Sequence, residues 1–502
     1  MTFAPLATVG DLADRLPECR VVGDRATRVS GLAYDSRDVA AGDLFAALVG
    51  GYADGHGFAE RAAAAGASAV LVERELSLPL PQLIVPDSRA ALARVADALY
   101  RHPSGEIAVV GITGTDGKTT TSFLTDAIFG AAGRVTGMIG TVAVRIAGVE
   151  DRHALRQTTP ESADVQRLLR AMVDADAEWA ILEATSHGLG MHRLDDVAFR
   201  VAAVTNITSE HLEFHGTVER YWRAKGTLFE RVAAVGGAAV VNIDDPGARS
   251  VLAYCDGAKL LTTSIEGGDA DLRATDIDCD GGGCRFTLNW RGEASRVDLP
   301  MLGRFNVQNA TCAAGIGLAT GIPLADVAAS LGTAPSVPGR VAMVDVGQPF
   351  AVVVDYAHTP ASLAKVLGLL RTLHPAGRLI ALFGSAGERD VEKRAVQGRV
   401  AAELADVVVV TSEDPRFEDP DAIIADIARG ATEAGARLGE RLHLVTDRRD
   451  AIRLAARLAR PGDCLLLAGK GHEGSIIWGG SKLAWDEEQV AREVLAEFGH
   501  GA

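Results

Sequence analysis

The run Val109-Val110-Gly111-Ile112-Thr113-Gly114-Thr115-Asp116-Gly117-Lys118-Thr119-Thr120 constrains this chain most. An apolar stretch that reads as a buried strand passes into a glycine-rich turn, then Lys-Thr, then an amphipathic segment (Phe123, Leu124, Ala127, Ile128) that reads as a helix. That layout is a phosphate cradle: glycines let backbone N–H groups approach phosphate oxygens at a helix N-terminus. Lys118 is placed to reach the outer phosphates, and the Thr119 hydroxyl to ligate Mg²⁺. A nucleoside triphosphate is the expected energy source. The spacing departs from the common G-x-x-x-x-G-K-[ST] form, because Ile112 stands where glycine is usual and the chain reads G-x-x-G-x-x-G-K-T. The alternative, a glycine-rich turn with an incidental lysine, does not explain why strand, glycines, Lys-Thr and helix occur together.

The length of 502 residues suits about two to four domains. The net charge of −16 argues against general nucleic-acid binding, although local Lys and Arg clusters still suit an anionic substrate. Six cysteines are scattered, and Cys279 and Cys284 lack a second Cys or His pair to complete a zinc site. Reduced thiols are the expectation. The first residues, Met-Thr-Phe-Ala-Pro-Leu, lack a basic region and a long apolar run, and no apolar stretch approaches a membrane span. A soluble, cytoplasmic protein without membrane insertion is expected.

Residues 1–104 carry short strand-like runs and helices predicted over 58–67 and 89–100, and His102-Pro103-Ser104-Gly105 reads as a linker. Residues 105–335 read as an α/β domain with strands at 179–183, 201–206 and 238–242, an antiparallel insertion in 265–300 and a helix at 309–320. Beyond Val337-Pro338-Gly339-Arg340, strands at 351–355, 379–383, 407–410, 442–445 and 464–467 alternate with helices, predicting a second doubly wound unit over 336–502. In such sheets ligands bind beyond the carboxyl ends of the strands.

Polar clusters sit at those ends. Glu183 ends a strand and is either a Mg²⁺ ligand beside Thr119 or part of a helix-capping loop. His211 is either a metal ligand or an exposed loop histidine, and Lys225 on its own reads as a solvated helix lysine. Arg340, Arg389 and Arg416 suit bidentate recognition of phosphate or carboxylate, or surface ion pairs. Asp355 and His358 follow another strand, and Gly469-Lys470-Gly471-His472-Glu473 follows the last.

Together with Asp35-Ser36-Arg37, Thr158-Thr159-Pro160 and Phe305-Asn306-Val307-Gln308-Asn309, these motifs resemble the Mur ligases, in the branch that adds a diamino acid as third peptide residue. The resemblance spans nearly the whole chain. It implies three α/β domains: a small N-terminal uridine-binding domain (1–104), a central P-loop-type ATPase domain with a mostly parallel sheet (105–335), and a C-terminal Rossmann-like domain that brings the amino acid (336–502). It implies amide-bond formation through an acyl phosphate, with ATP as co-substrate, Mg²⁺ as cofactor, and a UDP-N-acetylmuramoyl dipeptide and a diamino acid as partners. A monomer is expected. The resemblance assigns Gly114, Thr115, Asp116, Gly117, Lys118, Thr119, Thr120, Asn306, Asn309, Arg340 and Asp355 to ATP. It assigns Ser36, Arg37, Thr158, Thr159, Thr185 and Arg193 to the UDP-linked substrate. Thr119 and Glu183 would serve one Mg²⁺, and His211 and Lys225 a second, with Lys225 matching the family's carbamylated lysine (N6-carboxylysine). Lys118, Lys225, His211 and Glu183 are the expected catalytic set. Arg389, Asp414, Arg416, Gly469 and Glu473 match the amino-acid pocket. Asp116 and Met191 depart from the family's usual asparagine and glutamine. Asp414 stands where diaminopimelate enzymes commonly have asparagine, adding a negative charge that would repel a second carboxylate. That favours lysine or ornithine and leaves diaminopimelate open.

Overall fold

Strand-forming apolar runs and amphipathic helices alternate along the chain, and they assemble into three main sheets. The structure is a computed structural model that describes residues 7–50, 53–151, 157–208 and 212–500. It forms two compact units, one of residues 1–276, 286–297 and 307–331 and the other of 277–285, 298–306 and 332–502. The expected boundary at 104/105 lies inside the first unit, between its two main sheets.

The first of those sheets has five strands in the order Arg20–Val22, Gln82–Ile84, Ala69–Val72, Asp43–Ala46, Gly31–Ala33. The first pair is antiparallel and the others are parallel. The helix expected at 58–67 is shorter: Gly55 and Gly57 give a 3-10 turn, Gly55–Phe58, before the α-helix Ala59–Ala64, as glycine weakens helix interiors.

The second sheet is built on parallel strands in the order Thr136–Ile139, Trp179–Glu183, Ala108–Thr113, Phe199–Val204, Ala238–Asn242 and Lys259–Ser264. Its central strands carry Val109, Ile181, Ala202 and Val240, each fully buried, as expected where helices cover a parallel sheet. The helix Ser162–Asp174 presents Val165, Leu168, Leu169 and Met172 to that core; burying each such side chain contributes about 1.5–3 kcal/mol. The insertion expected in 265–300 is the three strands Leu272–Asp280, Gly283–Trp290 and Glu293–Leu299.

One cysteine expectation is corrected in the second unit. Cys279 and Cys284 form a disulfide rather than remaining thiols, because the tight turn between the strands Leu272–Asp280 and Gly283–Trp290 brings their Cα atoms to 4.1 Å. Cys19, Cys255, Cys312 and Cys464 are free thiols.

The main sheet of the second unit orders Ala342–Met343, Ala351–Asp355, Cys464–Ala468, Leu379–Phe383, Val407–Val410 and Leu442–Leu444, all parallel except the first pair. Apolar cores lie on both faces of this sheet: Val353, Ala381 and Leu466 join one and Val352, Ile380 and Leu465 the other, as strand alternation requires. Among the described residues no helix is long and apolar enough to cross a membrane.

Candidate active site

The phosphate-cradle strand is Ala108–Thr113 and its helix is Lys118–Ala131. Gly117 caps that helix at φ 86°, and a Cβ there would lie 2.2 Å from Asn309 Oδ1. Glycine is required on both counts. Ile112 is fully buried in the central strand, so the position that lacks the usual glycine serves the sheet core. The loop is laced to the next strand end: Thr115 N donates to Asn206 O (2.7 Å), Asp116 N to Asn206 Oδ1 (2.9 Å) and Thr205 Oγ1 to Asp116 O (2.6 Å). These bonds hold the loop backbone in a preformed shape. Lys118 Nζ donates to Gly114 O (2.8 Å) and Thr115 O (2.9 Å).

Glu183, at the end of the neighbouring strand, is 1% exposed. Its carboxylate accepts from Thr119 Oγ1 (3.0 Å), Thr141 N (3.0 Å) and Thr141 Oγ1 (2.9 Å). Thr141 Oγ1 also shares a hydrogen bond with Thr158 Oγ1 at 3.0 Å. Thr141 was not singled out in the sequence. Its signal is only that Gly140-Thr141 follows a strand, and Gly140 leaves no room for a Cβ, which would meet Glu183 Oε1 at 2.3 Å.

Thr158 opens onto a cavity of about 350 Å³ lined by Gln157, Thr158, Thr159, Thr185, His187 and Arg193. Four of the six expected UDP-substrate residues thus meet there. Thr185 caps the short helix Ser186–Gly190 and donates to Thr159 Oγ1 at 2.9 Å. Arg193 is held by Thr159 O (3.1 Å) and Glu161 (3.0 Å), and its Nε has no hydrogen-bond partner among the described residues. Ser36 and Arg37 do not line this cavity. Ser36 is buried, and Arg37 Nε bonds Asp35 at 2.9 Å, a contact that pulls the Asp35 carboxyl down to about 2.

Lys225, on the helix Val218–Ala234, is 2% exposed, so the solvated-lysine reading fails. Its Nζ donates to Gly114 O (2.8 Å) and lies 4.7 Å from the centre of the Tyr221 ring. Tyr221 OH reaches Thr115 Oγ1 at 3.0 Å. His211 lies outside the described residues.

In the second unit, Arg340 stacks 5.0 Å from the Tyr356 ring centre, with Nε unpartnered among the described residues. Asp355 accepts from Val341 N and Ala357 N, both at 2.8 Å, while burial pushes its carboxyl up from the usual range. Asn306 Nδ2 donates to Leu302 O at 2.9 Å. Arg389 lies exposed in the loop after Leu379–Phe383. Arg416 has φ 54° and an Nε without a partner among the described residues. The Gly339 and Gly471 loops interlock, since a Cβ on Gly339 would meet His472 N at 2.3 Å.

The negative charge that Asp414 adds is paired with a lysine. Lys470, fully buried, donates to Asp414 Oδ1 at 2.8 Å and to Glu473 Oε2 at 2.6 Å. The sequence places Lys470 56 residues from Asp414, and they meet only because the strands Val407–Val410 and Cys464–Ala468, with Leu379–Phe383 between them, end at the same edge of one parallel sheet. Both acids matched to the amino-acid pocket therefore already face an ammonium group.

A parallel sheet, a glycine loop at a helix N-terminus with Lys-Thr, and a buried carboxylate leading to a separate polar cavity define an α/β enzyme that uses a nucleoside triphosphate. Residues 28–101 match the Mur ligase family catalytic domain, 112–317 the Mur ligase middle domain and 339–471 the Mur ligase glutamate ligase domain. A UDP-N-acetylmuramyl-tripeptide synthetase of Roseiflexus sp. (strain RS-1) is 46% identical, over 94% of this chain and 96% of that one. A UDP-N-acetylmuramoyl-L-alanyl-D-glutamate--2,6-diaminopimelate ligase of Bacillus licheniformis is 38% identical, over 95% and 96%. A solved structure of a ligase with that same name is 30% identical, covers 99% of this chain and 100% of its own, and aligns with a TM-score of 0.67. The chain belongs to the Mur ligase family and is an ATP-dependent amide ligase.

Proposed function

We propose that this ligase adds a diamino acid to UDP-N-acetylmuramoyl-L-Ala-D-Glu, in cytoplasmic peptidoglycan precursor synthesis. The observation that carries the reading is the continuous hydrogen-bonded path from the phosphate loop, Thr119–Glu183–Thr141–Thr158, to the substrate cavity. It links the place where a phosphoryl group is held to the place where a carboxylate would accept it. The domain boundaries at 104/105 and 335/336 belong to the same proposal.

The substrate carboxylate attacks the γ-phosphorus of ATP and ADP leaves, giving an acyl phosphate. The amine of the third substrate then attacks the acyl carbon, and the tetrahedral intermediate expels inorganic phosphate as the amine loses its proton. The backbone N–H groups at the start of the helix Lys118–Ala131 and the Lys118 ammonium hold the phosphates, and catalysis rests on position and charge neutralisation. The Thr119 hydroxyl and the Glu183 carboxylate, hard oxygen donors 3.0 Å apart, fit Mg²⁺. Bound there, the ion would neutralise phosphate charge. Arg193 positions the UDP-linked substrate, Arg340 and Asp355 the nucleotide, and Arg389 and Arg416 the amino-acid carboxylate.

Phosphate release with ATP, the UDP-muramoyl dipeptide and each of lysine, ornithine and diaminopimelate tests the reading. Turnover driven by a folate and not by the dipeptide would replace it with a folylpolyglutamate synthetase reading. Arg193→Ala is expected to raise the KM for the dipeptide by roughly tenfold or more, through a lost charge-assisted contact, with the KM for ATP unchanged. Equal rises in both would remove Arg193 from the dipeptide site.

A further inference from the structure

Lys470 is fully buried, yet it bonds two carboxylates that the proposed reaction places around the third substrate. Asp414 is 7% exposed, and its Oδ1 takes the Ile477 N–H (2.9 Å) as well as Lys470. Glu473 is more open, with a third of its side chain exposed. A third acid, Glu413, is also buried, and its Oε2 has no partner among the described residues. Burial pushes the Glu413 carboxyl up, towards the neutral form. Asp414, Glu473 and Lys470, each in its charged form, together carry one net negative charge; without Lys470 the two acids would carry two. A buried ammonium is itself costly without acidic partners, so the three side chains form one electrostatic unit.

Resting on the ligase reading above, we propose that Lys470 sets amino-acid specificity: it cancels one of the two negative charges presented by Asp414 and Glu473, and so decides whether a substrate with a second carboxylate is accepted. Lys470 acts through these acids and is a positioning residue. A diamino acid with one carboxylate gains from a more negative pocket, whereas diaminopimelate loses. Charges this close in a partly desolvated pocket differ in their effect by about tenfold or more in binding.

The test measures kcat and KM for lysine and for meso-diaminopimelate by phosphate release, at saturating ATP and UDP-muramoyl dipeptide. The proteins are the wild type, Lys470→Met, Asp414→Asn and the double variant. Lys470→Met is expected to lower the diaminopimelate-to-lysine ratio of kcat/KM by about tenfold or more, mainly through KM. Asp414→Asn, which keeps an oxygen for Ile477 N–H, is expected to raise that ratio. The double variant, with the net charge restored, is expected to return to near the wild-type ratio. Equal losses for both amino acids in Lys470→Met, or a double variant as displaced as that single one, would overturn the proposal. If Lys470→Met does not fold, an unchanged ratio in Asp414→Asn overturns it instead. A wild type inactive with every diamino acid refutes the underlying ligase reading, an outcome distinct from an unchanged ratio in active enzymes.

Discussion

Lys225→Ala is expected to abolish ATP-dependent phosphate release, with a fall in kcat of about 10³-fold and a protein that still folds. The side chain is 2% exposed and bonds the carbonyl of Gly114, the residue at which the phosphate loop leaves its strand. Tyr221, one turn earlier on the same helix, lies under the ammonium and reaches Thr115 in that loop. Loss of Lys225 therefore removes a charge beside the phosphates and a brace on the loop. The chemical form of the residue is open to the same experiment. As an ammonium it is suited to the Gly114 carbonyl and the Tyr221 ring face. As a carbamate it would offer anionic oxygens to a metal. Short-chain carboxylic acids restoring part of the activity support the carbamate, and short primary amines doing so support the ammonium. Wild-type activity in Lys225→Ala without additives would remove Lys225 from the mechanism.

Most strands of both parallel sheets were legible because they are short apolar, β-branched runs closed by polar residues. Trp179–Glu183, Ala238–Asn242 and Ala351–Asp355 fall where the pattern puts them. The strand expected at 201–206 lies two residues earlier, at Phe199–Val204. Thr205 and Asn206 look like a polar strand end; Thr205 N still bonds Thr113 O of the neighbouring strand, but both side chains bond Asp116 O in the phosphate loop. The strand, turn and helix around Lys118 were also legible, since their signals are local: an apolar run, glycines and an amphipathic segment. What the sequence hid depends on strand adjacency. Thr141 joins Glu183 to Thr158 only because two parallel strands end side by side. Lys470 reaches Asp414 because their strands end at the same edge of one sheet with Leu379–Phe383 between them, and its charge offsets the one that Asp414 carries when read alone. The Cys279–Cys284 bond was obscured because scattered cysteines say nothing of the turn that unites them.

Glu487→Leu is expected to destabilise the second unit by about 3–5 kcal/mol, because it strips a buried guanidinium of its counter-charge. Arg448 and Glu487 both have fully buried side chains and meet through three bonds, from Nε to Oε1 (3.1 Å) and Oε2 (3.0 Å) and from Nη2 to Oε1 (2.6 Å). Trp485 Nε1 adds a third donor to Glu487 at 2.6 Å. Each residue is the first of its helix, Arg448–Leu458 and Glu487–Glu497. The dipole favours the glutamate there and disfavours the arginine, so the arginine depends on its partner. Arg448 also donates to Ser412 O (3.1 Å) and Ala468 O (2.8 Å), the carbonyls just before Glu413-Asp414 and Gly469-Lys470. The pair thus ties together the two loops that carry the proposed amino-acid pocket. Thermal or urea unfolding should show the loss, and at temperatures where the variant stays folded the KM for the diamino acid should rise more than the KM for the UDP-linked substrate. Arg448→Met combined with Glu487→Leu should recover much of the stability, since an apolar pair leaves no buried charge, but not the diamino-acid KM, since the bonds from Arg448 to Ser412 and Ala468 go with the guanidinium. A single variant that unfolds within about 1 kcal/mol of wild type, below the range for an orphaned buried charge, would show that water or another acid already compensates Arg448.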